Sequence, residues 1–267
     1  MSTLEFDGLV CDLDGVLYRG VEPVPGVAEA IDRVRASGIR VVFATNNATK
    51  TLAQYVERLR RFDVEIGEDD IVTSAAVTGE EVTRRGWSGR TVFLIGTDGT
   101  RVALEDAGVV LVDGIPARTA DIAVVSSTAR FDYQSLATAA FAVRNGADFL
   151  ASNADPTFPA ADGLWPGAGA MLAAVETASG RKAEVMGKPN PPMMQAIARR
   201  LEGCNKIAVV GDQPSTDLAG GRSMGWATIL VLSGVTDAVA AAALDPAPDV
   251  VIPSLVDLPP LLGVPHV

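Results

Sequence analysis

Short apolar, β-branched runs alternate with longer amphipathic stretches along almost the whole chain. The apolar runs predict strands over Phe6–Asp12, Val41–Thr45, Thr91–Gly96, Ile122–Ser126, Phe149–Ser152, Lys206–Gly211, Thr228–Leu232 and Val250–Ile252. Between them the pattern predicts helices over Val27–Ser37, Leu52–Phe62, Gly99–Ala107, Tyr133–Asn145, Ala170–Thr177, Pro192–Leu201 and Thr216–Met224, with a short one at the alanine run Ala240–Ala243. Pro25 just before the first helix and Gly38 just after it are the expected start and stop signals. Runs such as Ile-Ala-Val-Val-Gly (207–211) do not alternate, as a parallel sheet covered by helices on both faces requires. The class is α/β, with a doubly wound, Rossmann-like parallel sheet. Gly, Pro and Asp punctuation sets apart a central block from about Thr73 to Gly180, which carries strands and helices of its own. The expected organisation is a discontinuous core, residues 1–76 and 181–267, with a smaller α/β domain, residues 77–180, inserted into it.

Composition narrows the functions open to such a fold. At 267 residues the chain can bury a large core. Its net charge of −11 argues against nucleic acid as a partner, and an anionic substrate would require local positive charge or a metal cation. Cys11 and Cys204 are too few and too far apart for a disulfide framework or a zinc set, and read as small core residues. The N-terminal stretch lacks the features of a signal peptide, and no apolar run approaches the roughly 20 residues that span a bilayer. The expectation is a cytoplasmic protein without a membrane partner. The single histidine, His266, stands next to the last residue, so acid–base chemistry falls to carboxylates, lysine or tyrosine.

Ligands of open parallel sheets collect at the carboxyl ends of the strands. Asp12-Leu13-Asp14-Gly15 follows the first predicted strand, and Thr45-Asn46-Asn47 ends the second. Gly211-Asp212-Gln213-Pro214-Ser215-Thr216-Asp217 closes the strand after Lys206, and Lys188 stands in the turn-rich Gly187-Lys188-Pro189-Asn190-Pro191. Singly, each has a structural reading: a tight turn, a helix cap, a capping loop, a solvated lysine. Together and in this order they are hard to explain by structure alone. Clustered carboxylates without His or Cys favour a hard, oxygen-ligated cation such as Mg²⁺. Cation, lysine, hydroxyl and amide donors suit phosphoryl transfer, in which a carboxylate can act as nucleophile.

The segments DLDGVLY, TNN, GKPNP and GDQPSTD resemble the four ordered motifs of the haloacid dehalogenase-like superfamily of phosphatases. The inserted block, with Asn153-Ala154-Asp155-Pro156 and Pro166-Gly167-Ala168-Gly169, resembles the large α/β cap of the NagD-like, 4-nitrophenylphosphatase branch. The resemblance implies Asp12 as nucleophile and metal ligand. Asp14 would be the general acid and base, its backbone carbonyl also on the metal. Thr45 and the Asn46 N–H would hold phosphate, Lys188 would neutralise developing charge, and Asp212 would complete the Mg²⁺ ligands. Asp217 would hold a water on the metal or orient Lys188, and Asn47 would orient Asp14. Asn153 and Asp155 would face the substrate from the cap edge; an Asx turn is their equal alternative. Arg130 reads first as a surface arginine, with a second anionic group of the substrate as its alternative partner. Trp165 reads first as a buried core residue, with a place at the substrate entry or stacked on a ring as its alternative.

The implied activity is Mg²⁺-dependent hydrolysis of a small phosphorylated metabolite of the glycerol 3-phosphate or phosphoglycolate type, through a phospho-aspartate. A nucleoside monophosphate or pyridoxal phosphate is the alternative substrate. Within the same superfamily the alternative is a dehalogenase or a phosphomutase, and Asp14 and Asp212 disfavour the dehalogenase. A phospho-acceptor module of the receiver type is disfavoured by length and by the insertion, and a non-catalytic metabolite-binding relative by the full motif set. Pairing of cap surfaces into a homodimer is a further implication of the resemblance.

Overall fold

The structure, a computed structural model, describes residues 4–160 and 163–262; His266 lies outside the described residues. The chain divides into two compact units, one of residues 4–45, 56–72 and 194–262, the other of residues 46–55 and 73–193. The first is built on a six-stranded sheet in the order Val250–Ile252, Ala227–Val231, Ile207–Gly211, Gly8–Cys11, Arg40–Thr45, Ile71–Thr73. Gly8–Cys11 pairs in parallel with both Ile207–Gly211 and Arg40–Thr45, with Cys11 opposite Val210 and Phe43. From Gly8–Cys11 the chain winds outward to one side, and from Ile207–Gly211 to the other. The reversal lies between these two neighbours, and a doubly wound sheet leaves its crevice at the carboxyl ends flanking such a reversal. The first helix, Val27–Ala36, buries Val27, Ala30, Ile31 and Val34, the i, i+3, i+4, i+7 stripe of a helix lying on a core.

The second unit has its own five-stranded sheet, parallel throughout, in the order Glu184–Val185, Asp148–Ala151, Ile122–Val125, Thr91–Ile95, Val110–Leu111. Its core gathers Phe93, Ile95, Val125, Phe149, Leu172 and Val175 around the helices Tyr133–Arg144 and Ala168–Ser179. An antiparallel hairpin, Thr157–Ala160 with Gly163–Pro166, belongs to the same unit.

Several elements escape the sequence pattern. Helix Ser74–Arg84 buries Ser74, Thr78, Gly79 and Glu81 along with its valines, so its inward face carries little apolar signal. A Cβ on Gly79 would overlap the Ala103 carbonyl of helix Asp98–Asp106; the small residue allows close helix packing. In place of one helix over 216–224, a π-type turn, Pro214–Leu218, leads into Ala219–Ser223. Trp165 is not a core residue: it is 46% exposed on the hairpin, with its ring edge-on to Phe158 at 6.3 Å. Cys11 is buried and Cys204 half-buried, while Arg130 is exposed. Among the described residues no helix is long and apolar enough to cross a membrane.

One surface carboxylate ties the outer strands of the first sheet. Asp249 accepts the Thr228 N–H at 2.7 Å and the Thr228 hydroxyl at 2.8 Å. The backbone bond first, then the hydroxyl, holds its carboxyl below the ordinary value of 3.8. A carboxyl whose pKa falls on folding contributes stability above its unfolded pKa, and that contribution is lost as the pH drops through the lower, folded value. Asp249→Asn is expected to lower the urea midpoint at pH 7 and to converge on the parent protein in acid below 3.8. Equal midpoints at pH 7 would disprove the assignment.

Candidate active site

Asp12 directly follows the Gly8–Cys11 strand, and its N–H extends the ladder by one bond to the Val210 carbonyl at 3.0 Å. Asp212 directly follows the neighbouring strand, Ile207–Gly211. The π-type turn after it brings back Asp217, and carboxylate oxygens of Asp12, Asp212 and Asp217 all lie within 4.8 Å of one another. All three residues are buried. The main chain holds two of them in place: Val235 N–H donates to Asp212 Oδ2 at 2.7 Å, and Gln213 N–H donates to Asp217 Oδ2 at 3.1 Å. The Thr236 hydroxyl adds a bond to the Asp212 carbonyl at 2.6 Å. A Cβ on Gly234 or Gly15 would overlap the Asp212 carboxylate, so these two glycines form the cradle in which it sits. Gly15 also has φ +82°, the left-handed conformation that glycine adopts without strain.

Carboxylates this close repel one another, and burial strengthens the repulsion. The donor set is all oxygen, which fits a hard divalent cation and no thiophilic one. Asp14 is not among the three. Its Oδ2 accepts the hydroxyl of Tyr18 at 3.3 Å, and Gly15 N–H closes the turn on the Tyr18 carbonyl at 2.8 Å. Tyr18 is fully buried, and the Arg58 guanidinium lies 3.7 Å from its ring centroid. Ser233 donates to the Gly15 carbonyl at 2.6 Å, so the turn carrying Asp14 and the loop bracing Asp212 are hydrogen-bonded to each other. Thr45, the last residue of Arg40–Thr45, is buried in the same unit.

The remaining sequence candidates belong to the second unit. Asn46 accepts the Lys188 N–H on Oδ1 at 2.7 Å, and its Nδ2 donates to the Lys188 carbonyl at 3.0 Å and to Asp155 Oδ1 at 3.2 Å. Lys188 is 4% exposed, not a solvated surface charge, and precedes a cis peptide to Pro189. Asn47 Oδ1 accepts the N–H and hydroxyl of Thr49 at 3.1 and 2.7 Å. The cap of helix Leu52–Arg60 is instead Thr51, which exchanges bonds with Gln54. Asn153 is buried, and its Oδ1 accepts the Asp155 N–H at 3.2 Å, an Asx turn. Tyr18, the Gly234–Val235 brace and the side-chain role of Asn46 are absent from the sequence reading. The first two carried a signal: Tyr18 stands inside the DLDGVLY segment, and Ser233-Gly234-Val235-Thr236 follows closely on another strand of the same sheet.

Comparison with known proteins decides the family. The family described as haloacid dehalogenase-like hydrolase matches residues 9–110, and a HAD-hydrolase-like family matches residues 185–258. An acid sugar phosphatase of Staphylococcus aureus is 34% identical over 234 residues, 87% of this chain and 88% of that protein. The chain belongs to the haloacid dehalogenase-like hydrolases. Among solved structures, a p-nitrophenyl phosphatase from Archaeoglobus fulgidus superposes with a TM-score of 0.89 at 32% identity, covering 96% of this chain and 99% of that one. A glycerol phosphate phosphatase from Mycobacterium tuberculosis, solved in complex with magnesium, gives 0.85 at 33% identity, with 95% and 76% covered. This haloacid dehalogenase-like hydrolase is a phosphatase of the NagD, 4-nitrophenylphosphatase type, a phosphoric monoester hydrolase.

The Gly234 cradle makes the candidate cation site testable. Asp212 is pinned by Val235, so its carboxylate has no room to yield to a methyl group at position 234. Gly234→Ala is expected to weaken Mg²⁺ binding about 10–100-fold in calorimetric titration, the usual cost of disturbing what orients a ligand. Unchanged Mg²⁺ affinity would show that Asp212 does not hold the cation.

Proposed function

We propose that the protein is a Mg²⁺-dependent phosphomonoesterase acting on a small polyol or acid phosphate, of the glycerol 3-phosphate or phosphoglycolate type, through a phospho-Asp12 intermediate. The observation that carries this reading is the buried carboxylate triad of Asp12, Asp212 and Asp217 at the carboxyl ends flanking the reversal of the sheet. Asp12, Asp212 and the backbone carbonyl of Asp14 would hold Mg²⁺, which when bound offsets the carboxylates and polarises the phosphoryl oxygens. The names of two relatives, an acid sugar phosphatase and a glycerol phosphate phosphatase, favour a compact polyol substrate.

In the first step an Asp12 carboxylate oxygen attacks phosphorus, and the bond from phosphorus to the leaving oxygen breaks. Asp14 gives its proton to that oxygen, releasing the alcohol. In the second step Asp14, now ionised, takes a proton from water as the water oxygen attacks phosphorus, and the Asp12 acyl-phosphate bond breaks to return phosphate and the free carboxylate. The Tyr18 hydroxyl on Asp14 Oδ2 holds that carboxyl in place for both transfers. Asp12 and Asp14 divide the labour because only Asp12 belongs to the triad. Thr45 and the Asn46 N–H hold phosphate oxygens, and Lys188 meets the charge that develops on them. Asp217 keeps its place behind the cation ligands, its Oδ2 on the Gln213 N–H. Residues 77–180 form the cap that sets substrate choice, and the site of action is the cytoplasm.

The test is phosphate release from a panel of phosphomonoesters, with Mg²⁺ or with EDTA. Turnover is expected only with the cation, with polyol phosphates ahead of nucleoside monophosphates. Asp12→Asn is expected to abolish it, and Asp14→Asn to lower kcat by about 10²–10⁴-fold, the usual worth of a positioned acid–base group. Turnover surviving Asp12→Asn, or indifferent to EDTA, would sink the mechanism.

A further inference from the structure

The second unit buries a line of polar side chains where apolar ones would pack as well. Asn153, Ser152, Ser126 and Thr100 are each between 0 and 2% exposed. Ser126 follows the strand Ile122–Val125, and Ser152 and Asn153 follow Asp148–Ala151, so three of the four stand at carboxyl ends of adjacent strands. Asn153 Nδ2 donates to the Asn46 carbonyl at 2.8 Å and reaches Ser152 Oγ at 3.3 Å. Ser152 Oγ donates to Ser126 Oγ at 2.8 Å, and Ser126 Oγ is 2.8 Å from Thr100 Oγ1. Thr100 Oγ1 returns to the Ala48 carbonyl at 3.4 Å. The line therefore begins and ends on the main chain of residues 46–48.

Burying such groups costs free energy that their mutual hydrogen bonds only offset, and an apolar set of the same shape would serve stability equally well. What the polar set adds is position. Asn46 is held on every side: the Ser74 hydroxyl joins Asn153 on its carbonyl at 2.6 Å, and its side-chain amide grips both the N–H and the carbonyl of Lys188. A Cβ on Gly187 would fall 2.6 Å from Asn46 Oδ1 and 3.1 Å from Asn153 Cβ, so the lysine loop is seated tightly against this pair of amides.

We infer that Asn153 is a positioning residue for phosphoryl transfer: through the Asn46 carbonyl it fixes the orientation of Asn46, and through the Asn46 amide it fixes Lys188. The inference rests on the role proposed above for Lys188. It also assigns the Asn153 amide to Asn46, Ser152 and the Asp155 turn rather than to the substrate.

The experiment is a double-mutant cycle on phosphate release with Mg²⁺ present, using Asn153→Ala, Lys188→Ala and the pair, with thermal unfolding of each. Asn153→Ala is expected to lower kcat about 10–100-fold, the scale of a misplacement of about 1 Å, with little change in KM. In the Lys188→Ala background the same substitution is expected to lower kcat by clearly less, since the part of its effect that runs through Lys188 is gone and only the part through the Asn46 N–H remains. Ser74→Ala, which removes the other donor on the Asn46 carbonyl, is expected to repeat this non-additivity, and it carries the test if Asn153→Ala does not fold. Equal losses of kcat in both backgrounds, or a lowered Tm with unchanged kcat, would overturn the inference alone. A fully active Lys188→Ala would overturn the role of Lys188 itself, and this inference with it.

Discussion

Mutual repulsion among Asp12, Asp212 and Asp217 is the constraint around which the first unit is arranged. Three carboxylates with oxygens within 4.8 Å of one another, all buried, do not assemble of their own accord. The covalent frame brings them together: two adjacent parallel strands end side by side, and a π-type turn returns a third acid to the same place. Main-chain N–H groups of Val235 and Gln213 then hold two of the carboxylates, each bond stronger for the charge on its acceptor. The left-handed turn at Gly15 and the glycine at position 234 both follow from keeping like charges at close quarters.

The second unit meets a different demand, which is to hold a cation and a stretch of main chain rather than anions. Lys188 is kept from water while its own backbone is bonded on both sides to one asparagine amide. Asparagine suits the task because a single side chain offers donor and acceptor at once, matching the N–H and C=O of one residue. Leucine, branched at the same carbon, could form neither of these two bonds. The hydroxyl line beneath extends the logic, since each Ser or Thr can both give and accept within a chain.

How much of this could be read from the residues follows from how far apart the interacting groups lie in sequence. The class and the central strands were legible because continuous apolar runs report burial on both faces locally. The strand ends picked out Asp12, Thr45 and Asp212 by the same local rule. Helix Ser74–Arg84 was not legible, because Ser74, Thr78, Gly79 and Glu81 share its buried face with Val77 and Val82, which blurs the periodic signal. The hairpin holding Trp165 defeated the assumption that a tryptophan is core. The turn at Gly15 was legible, but not that it brings the Tyr18 hydroxyl onto Asp14, because apolar periodicity does not report side-chain hydrogen bonds. The Asn46 amide is joined to Lys188 across 142 positions, a separation at which local pattern is silent.

The cradle around Asp212 ties three distant positions into one unit of sequence change. Glycine at 15 and glycine at 234 both leave room for the same carboxylate, but only Gly15 also needs its positive φ. A lineage that shed the acid at 212 would thereby free position 234 to take any small side chain, while position 15 would stay glycine for its backbone alone. Drift at 234, unaccompanied by drift at 15, is thus the mark such a lineage would carry of having lost that carboxylate.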